Sequence, residues 1–139
     1  MLTLPLAAES LVPHRSPMRL VDQLVEIEGK NGVVEALVDR NCPLVSEEGV
    51  LEKVALVELI AQSYAALKGY LDRVENKPVR QGFLVGIKSF VSLLPVYSGE
   101  TLRITIETLG ELEDFAVAEG KIWRSETLVG RGEIKIWIN

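Results

Sequence analysis

The sequence predicts an α+β fold in which an antiparallel sheet wraps around one long central helix. Three observations predict it. A single stretch, Val50 to Arg73, is rich in Ala, Leu, Glu and Gln, holds no proline, and is apolar on nearly every side between Val54 and Leu67. Runs of alternating apolar and polar residues flank it, two before and four after. Short turn signals separate those runs, and the first two make a hairpin. A helix with so little polar surface must be covered, and a sheet curling round it supplies the cover.

The elements follow in order. The segment up to Met18 carries Pro13 and Pro17, which exclude a long helix and leave room for a short helical turn around Ala7 to Leu11. Arg19 to Glu28 reads as a strand and Val33 to Arg40 as its return. Gly29 to Gly32 forms the turn, with Asn31-Gly32 as its signal. Asn41 to Gly49 is a polar loop. The helix over 50–73 ends in Lys68, Asp72 and Arg73, which read as solvated. After the loop Val74 to Gln81 come strands over 82–91, 101–109, 115–124 and 128–138. In them Leu102, Ile104 and Ile106, and later Ile134, Ile136 and Ile138, alternate with polar neighbours, so each strand has one buried face. Pro95 with Gly99, Gly110 to Asp114, and Ser125 to Thr127 mark the turns. Trp123 and Trp137 are expected to pack in or across the sheet.

With 139 residues the chain is read as one domain, 1–139. A net charge of -5, with both signs interspersed, opposes binding to nucleic acid or to an anionic membrane. The lone Cys42 cannot form an internal disulfide, which fits a reducing, cytoplasmic setting. No basic region precedes the short apolar start, so a secretory signal is not expected. No apolar run approaches the roughly 18 residues that span a bilayer. One histidine and one cysteine do not make a zinc site, so no metal is expected. The chain lacks a G-x-S-x-G elbow, a P-loop and a Gly-rich dinucleotide fingerprint.

Three stretches carry a resemblance when taken together: VPHRSPMRLVDQLVEIE (12–28), VELIAQSYAAL (57–67) and GFLVGIKSFVSLLPVYSGETLRI (82–104). In order and spacing they resemble the bacterial 3-hydroxyacyl-carrier-protein dehydratases, and among these the dehydratase-like proteins of aryl-polyene pathways. The resemblance implies a hotdog fold built as a homodimer or higher homo-oligomer, with active sites at the subunit interface. A heterodimer with a related dehydratase is the other assembly it allows. It further implies an acyl chain carried on the phosphopantetheine of an acyl carrier protein or coenzyme A, and no separate cofactor. One departure stands out. The main family carries a catalytic histidine in a loop before the helix. Here that loop is NCPLVSEEGVLEK (41–53), with no histidine.

Eliminating water from a 3-hydroxyacyl thioester needs a base for the proton beside the carbonyl and an acid for the leaving hydroxyl. The helix acid of the family carries over to Glu58, which sits among Val54, Val57, Ala61 and Ala65 at helical spacing. The competing reading makes Glu58 a structural carboxylate. Gln62, one turn on, shares its face and either orients the carboxyl, bonds substrate or satisfies buried backbone. His14 is the only histidine, so any histidine-based mechanism uses it; otherwise the PHR element only anchors the N-terminal segment. Gly86 and Ile87 lie in the strand along which acyl-pantetheine runs in hotdog relatives, and Gly86 reads equally as a packing glycine. Gly49 and Val50, near the helix start, are candidate N–H donors to a thioester oxygen, although Glu47, Glu48 and Glu52 oppose an oxyanion there. The functional readings are therefore a dehydratase, a thioesterase of the same fold, and a non-catalytic acyl-binding partner of an active dehydratase.

Overall fold

The computed structural model describes residues 3–78, 80 and 82–138, so two residues of the expected loop after the helix, 79 and 81, lie outside it. The strands are β1 (Leu6–Ala7), β2 (Gln23–Glu28), β3 (Asn31–Leu37), β4 (Gly82–Ser92), β5 (Thr101–Leu112), β6 (Phe115–Arg124) and β7 (Thr127–Ile138). A short 3-10 turn spans Ala8–Ser10, and the one long helix, α1, spans Lys53–Val74. The strands form one antiparallel sheet in the order β1-β2-β3-β5-β6-β7-β4, curled against α1. This is the hotdog arrangement. No described helix is long and apolar enough to cross a membrane.

Strand alternation builds the core as the sequence predicts. Leu102, Ile104, Ile106, Ile122, Ile134 and Ile136 point inward and are buried against Leu56, Leu59, Ile60 and Leu67 of α1. Helix and sheet approach closely at Gly120, where a Cβ would land on the Ile60 side chain. Only a residue without a side chain lets the layers meet there.

Several local expectations are corrected. The β2–β3 turn is Gly29-Lys30, with Gly29 at φ +59°, and Asn31 and Gly32 already belong to β3. The two-residue loop puts its left-handed position on Gly29 and leaves Gly32 to face Leu67 at the core. The helix begins at Lys53, because the preceding residues are pinned elsewhere. Leu51 N–H donates to Val96 O at 2.8 Å and Glu52 N–H to Leu44 O at 2.8 Å. β1 has no counterpart in the predicted elements; two residues are too few to show a period. Asp72 is buried instead of solvated, 3.4 Å from Lys68 Nζ one turn earlier.

The wrapping is also incomplete. Val54 is 61% exposed, and Val57, Glu58, Ala61, Ala65 and Lys68 on the same side of α1 are only partly covered. The sheet ends beside that stripe. Its last strand, β4, has no neighbour on its outer edge, and Phe83, Leu84, Val85 and Ile87 are all exposed. An apolar, unpaired edge of this kind is a template for another chain.

Gly120→Ala should lower stability by about 1–3 kcal/mol through overpacking. Urea denaturation checks this, and an unchanged midpoint would contradict the close approach.

Candidate active site

The site grows from the uncovered stripe of α1 and the irregular segment between the 3-10 turn and β2. That segment has few ladder bonds of its own. Leu11 and Val12 N–H groups donate to Ala8 O, and Arg15 Nη1 donates to Val12 O at 2.8 Å and to His14 O at 2.9 Å. It lies close along the helix because residue 69 is glycine: a Cβ there would sit 2.5 Å from Leu11 O.

Gln62 ties this segment to the helix. Its side chain is buried at 1% exposure, and both ends of the amide are used. Oε1 accepts from Leu20 N–H at 2.7 Å, and Nε2 donates to Met18 O at 2.9 Å and to Glu58 Oε1 at 2.8 Å. One amide thus satisfies two backbone groups and holds a carboxylate. Engaged in this way, Gln62 positions Glu58; it has no N–H left for a substrate.

The same tether brings His14 to Glu58. His14 Nε2 stands 3.8 Å from Glu58 Oε1, with the side chains 35% and 41% exposed. That is longer than a hydrogen bond and within ion-pair reach. His14 Nδ1 is buried and has no hydrogen-bond partner among the described residues, so none of them fixes the ring's tautomer. Glu58 is not enclosed by apolar side chains as its helical neighbours suggested, because those neighbours lie on the uncovered stripe.

The pair opens onto a cavity of about 290 Å³. Ala61 and Ala65 form its floor, Leu11 and Pro13 one side, and Gly82 to Leu84 with Ile136 and Ile138 the other. Tyr64, Lys68 and Arg80 also line it. Burial pushes the Tyr64 phenol well above its ordinary range, and the charges of Glu111 and Asp72 add to the shift. The hydroxyl therefore stays protonated and serves as a donor. Sequence reasoning missed Tyr64, although it is the one aromatic in the small-residue stretch 57–67. It also missed Arg80, whose loop carries no pattern.

The other candidates do not join this cavity. Only the first residues of β4 reach it; Gly86 and Ile87 lie beyond a bulge between Leu84 and Gly86. Nothing crowds Gly86, since a Cβ would meet Lys135 Cβ at an ordinary 3.7 Å. Gly49 and Val50 lie before the helix start, and their N–H groups donate within their own loop, to Ser46 O at 2.9 Å and Ser46 Oγ at 3.2 Å. A larger hollow of about 600 Å³ is bordered by Glu26, Glu28, Glu107 and Glu119 with Lys121. It is more open and contains no histidine, so the approach of His14 to Glu58, not size, marks the candidate site.

Comparison with known proteins agrees with this fold. Residues 6–138 match the family described as ApeP-like, ApeP dehydratase. The chain is 30% identical over 131 residues to the 3-hydroxyacyl-[acyl-carrier-protein] dehydratase FabZ of Clostridioides difficile, covering 91% of this chain and 90% of that one. To FabZ of Alkaliphilus metalliredigens it is 33% identical over 125 residues, covering 86% and 83%. Among solved structures it is similar to the dehydratase heterocomplex ApeI:P from Xenorhabdus doucetiae, with TM-score 0.90, 22% identity and 96% and 91% coverage. It is also similar in fold to a hypothetical thioesterase with coenzyme A from Streptococcus pneumoniae, with TM-score 0.67, 15% identity and 84% coverage of each chain.

Gln62→Leu removes the side-chain partner of part-buried Met18 O, Leu20 N–H and Glu58 Oε1 and should cost about 1–3 kcal/mol, read from denaturant midpoints. Tyr64 makes a second measurable contribution. Its folded-state pKa is raised from 10.0, so its stabilisation is complete below that pH and is lost as the pH rises through it, when the unfolded chain ionises first. Tyr64→Phe should flatten the alkaline fall of the melting temperature, and an identical alkaline limb would argue against the burial.

Proposed function

The chain belongs to the ApeP-like family of hotdog dehydratases, and from that premise we propose that it eliminates water from a 3-hydroxyacyl thioester, with His14 and Glu58 as the proton-transfer pair. The observation that carries the reading is the 3.8 Å approach of His14 Nε2 to Glu58 Oε1 beside the apolar stretch of the cavity formed by Ala61, Ala65, Leu84 and Ile136. The loop before the helix lacks the family's histidine. His14 reaches the helix acid from the N-terminal segment instead.

The chemistry needs one proton on the pair. The member without it takes the proton from the carbon beside the thioester carbonyl, and the member with it protonates the leaving hydroxyl. The double bond forms, water departs, and the pair again holds one proton, now on the other member. The two substrate groups sit on adjacent carbons, so two side chains this close address both without moving. Gln62 keeps Oε1 of Glu58 turned toward His14. The hydrocarbon of the acyl chain fits the wall made by Ala61, Ala65, Leu84 and Ile136.

In this reading a second subunit adds to the edge of β4 and closes the cavity, of which Phe83 and Leu84 form one lip. The solved relative from Xenorhabdus doucetiae is a heterocomplex. A copy of this chain and a related dehydratase subunit are therefore both candidates for that place. The acyl group arrives on the phosphopantetheine of an acyl carrier protein or of coenzyme A, in fatty-acid or polyene-type synthesis, and no further cofactor takes part.

Incubation with a 3-hydroxyacyl carrier protein, read by mass spectrometry, should give the enoyl product. His14→Ala and Glu58→Gln should each slow its formation by about 10²–10⁴-fold. Release of free acid would instead indicate a thioesterase. No change alone, but turnover once a related dehydratase subunit is added, would indicate a partner subunit.

A further inference from the structure

The cavity is chemically asymmetric. At one end stand His14 and Glu58. The middle is apolar, walled by Ala61, Ala65 and Leu84. At the other end stand Tyr64, Lys68 and Arg80, all donors. Lys68 follows Glu58 by ten helical positions, about 15 Å of rise. A purely hydrocarbon ligand gives such an end nothing to bind.

Among the described residues these donors are not all used up. Arg80 Nε is buried and has no hydrogen-bond partner among the described residues. Tyr64 is 3% exposed and stays protonated, so it donates without competing as an anion. Lys68 is only 14% exposed and is partly balanced by Asp72 at 3.4 Å. Asp72 also accepts the Arg80 backbone N–H, at 3.5 Å, and no ion pair of the Arg80 guanidinium is present among the described residues. A buried donor without a partner in a ligand-sized cavity marks a place for an acceptor.

We infer that Tyr64, Lys68 and Arg80 form a subsite for an anionic oxygen group, set toward the C-terminal end of α1 from the His14–Glu58 pair. The inference rests on the substrate reading above for which end of the ligand reacts. The binding itself needs no turnover. Two parts of an acyl-thioester substrate present this chemistry. One is the phosphate of the pantetheine arm. The other is a carboxylate at the far end of the acyl chain.

The test is calorimetric binding to the assembled protein with two matched pairs of ligands: phosphopantetheine against pantetheine, and dodecanedioate against dodecanoate. The charged member of one pair should bind about tenfold more tightly or better, and the pair that responds identifies the source. Arg80→Met and Tyr64→Phe should each erode that preference. Both leave the buried Lys68–Asp72 pair intact and so spare the fold. Glu58→Gln should retain the preference, which separates this subsite from the acid–base pair. Equal affinity within both pairs, or a preference that survives Arg80→Met, would overturn the inference. Absence of dehydration by the unsubstituted protein, with the preference intact, would instead overturn only the catalytic reading.

Discussion

The amide of Gln62 is the constraint on which the rest of the site depends. Among the described residues it is the one side chain that bonds both the irregular N-terminal segment, at Met18 and Leu20, and the helix acid, at Glu58. The segment carrying His14 has no ladder to fix it at that point. Its position relative to α1 comes from this amide and from the close approach over Gly69. Stability and chemistry are therefore coupled in one residue. A buried amide with all its N–H groups used is rigid, and a rigid amide holds a carboxylate at a fixed place.

The second constraint is what the sheet leaves undone. Seven strands cover most of α1 but stop at β4, beside the stripe that carries Glu58. The uncovered helix stripe and the exposed apolar residues of β4 lie on either side of the same cavity. A complete wrap would have buried Glu58 without access. In the proposed function the gap is a ligand's entrance and the free edge a second subunit's seat, and both follow from the sheet ending at β4.

Much of this was legible in the sequence because it depends on periodicity. Alternation in 101–109 and 128–138 set which residues face the core, and the proline-free run set the helix. Glu58 and Gln62 could be linked because spacing of one turn fixes a shared face. His14 could be named only because it is the sole histidine. Its meeting with Glu58 depends on where a loop without repeating pattern crosses the helix, which no local rule encodes. The burial of Asp72 was hidden for a similar reason: the residues that cover it come from outside its own helix. Apolar composition between Val54 and Leu67 suggested cover on every side. It could not distinguish cover by this chain's sheet from cover by a partner. Tyr64 and Arg80 gain meaning only when the helix end and the loop before β4 are seen to border one cavity.

The most direct test of the account is a double-mutant cycle on kcat/KM for enoyl formation, using His14→Ala, Glu58→Gln and the double variant. Two members of one proton-transfer pair act as a unit, so the double variant should lose little more than the worse single variant. If the two losses instead multiply, the residues act independently, and the pairing at the centre of this account is wrong.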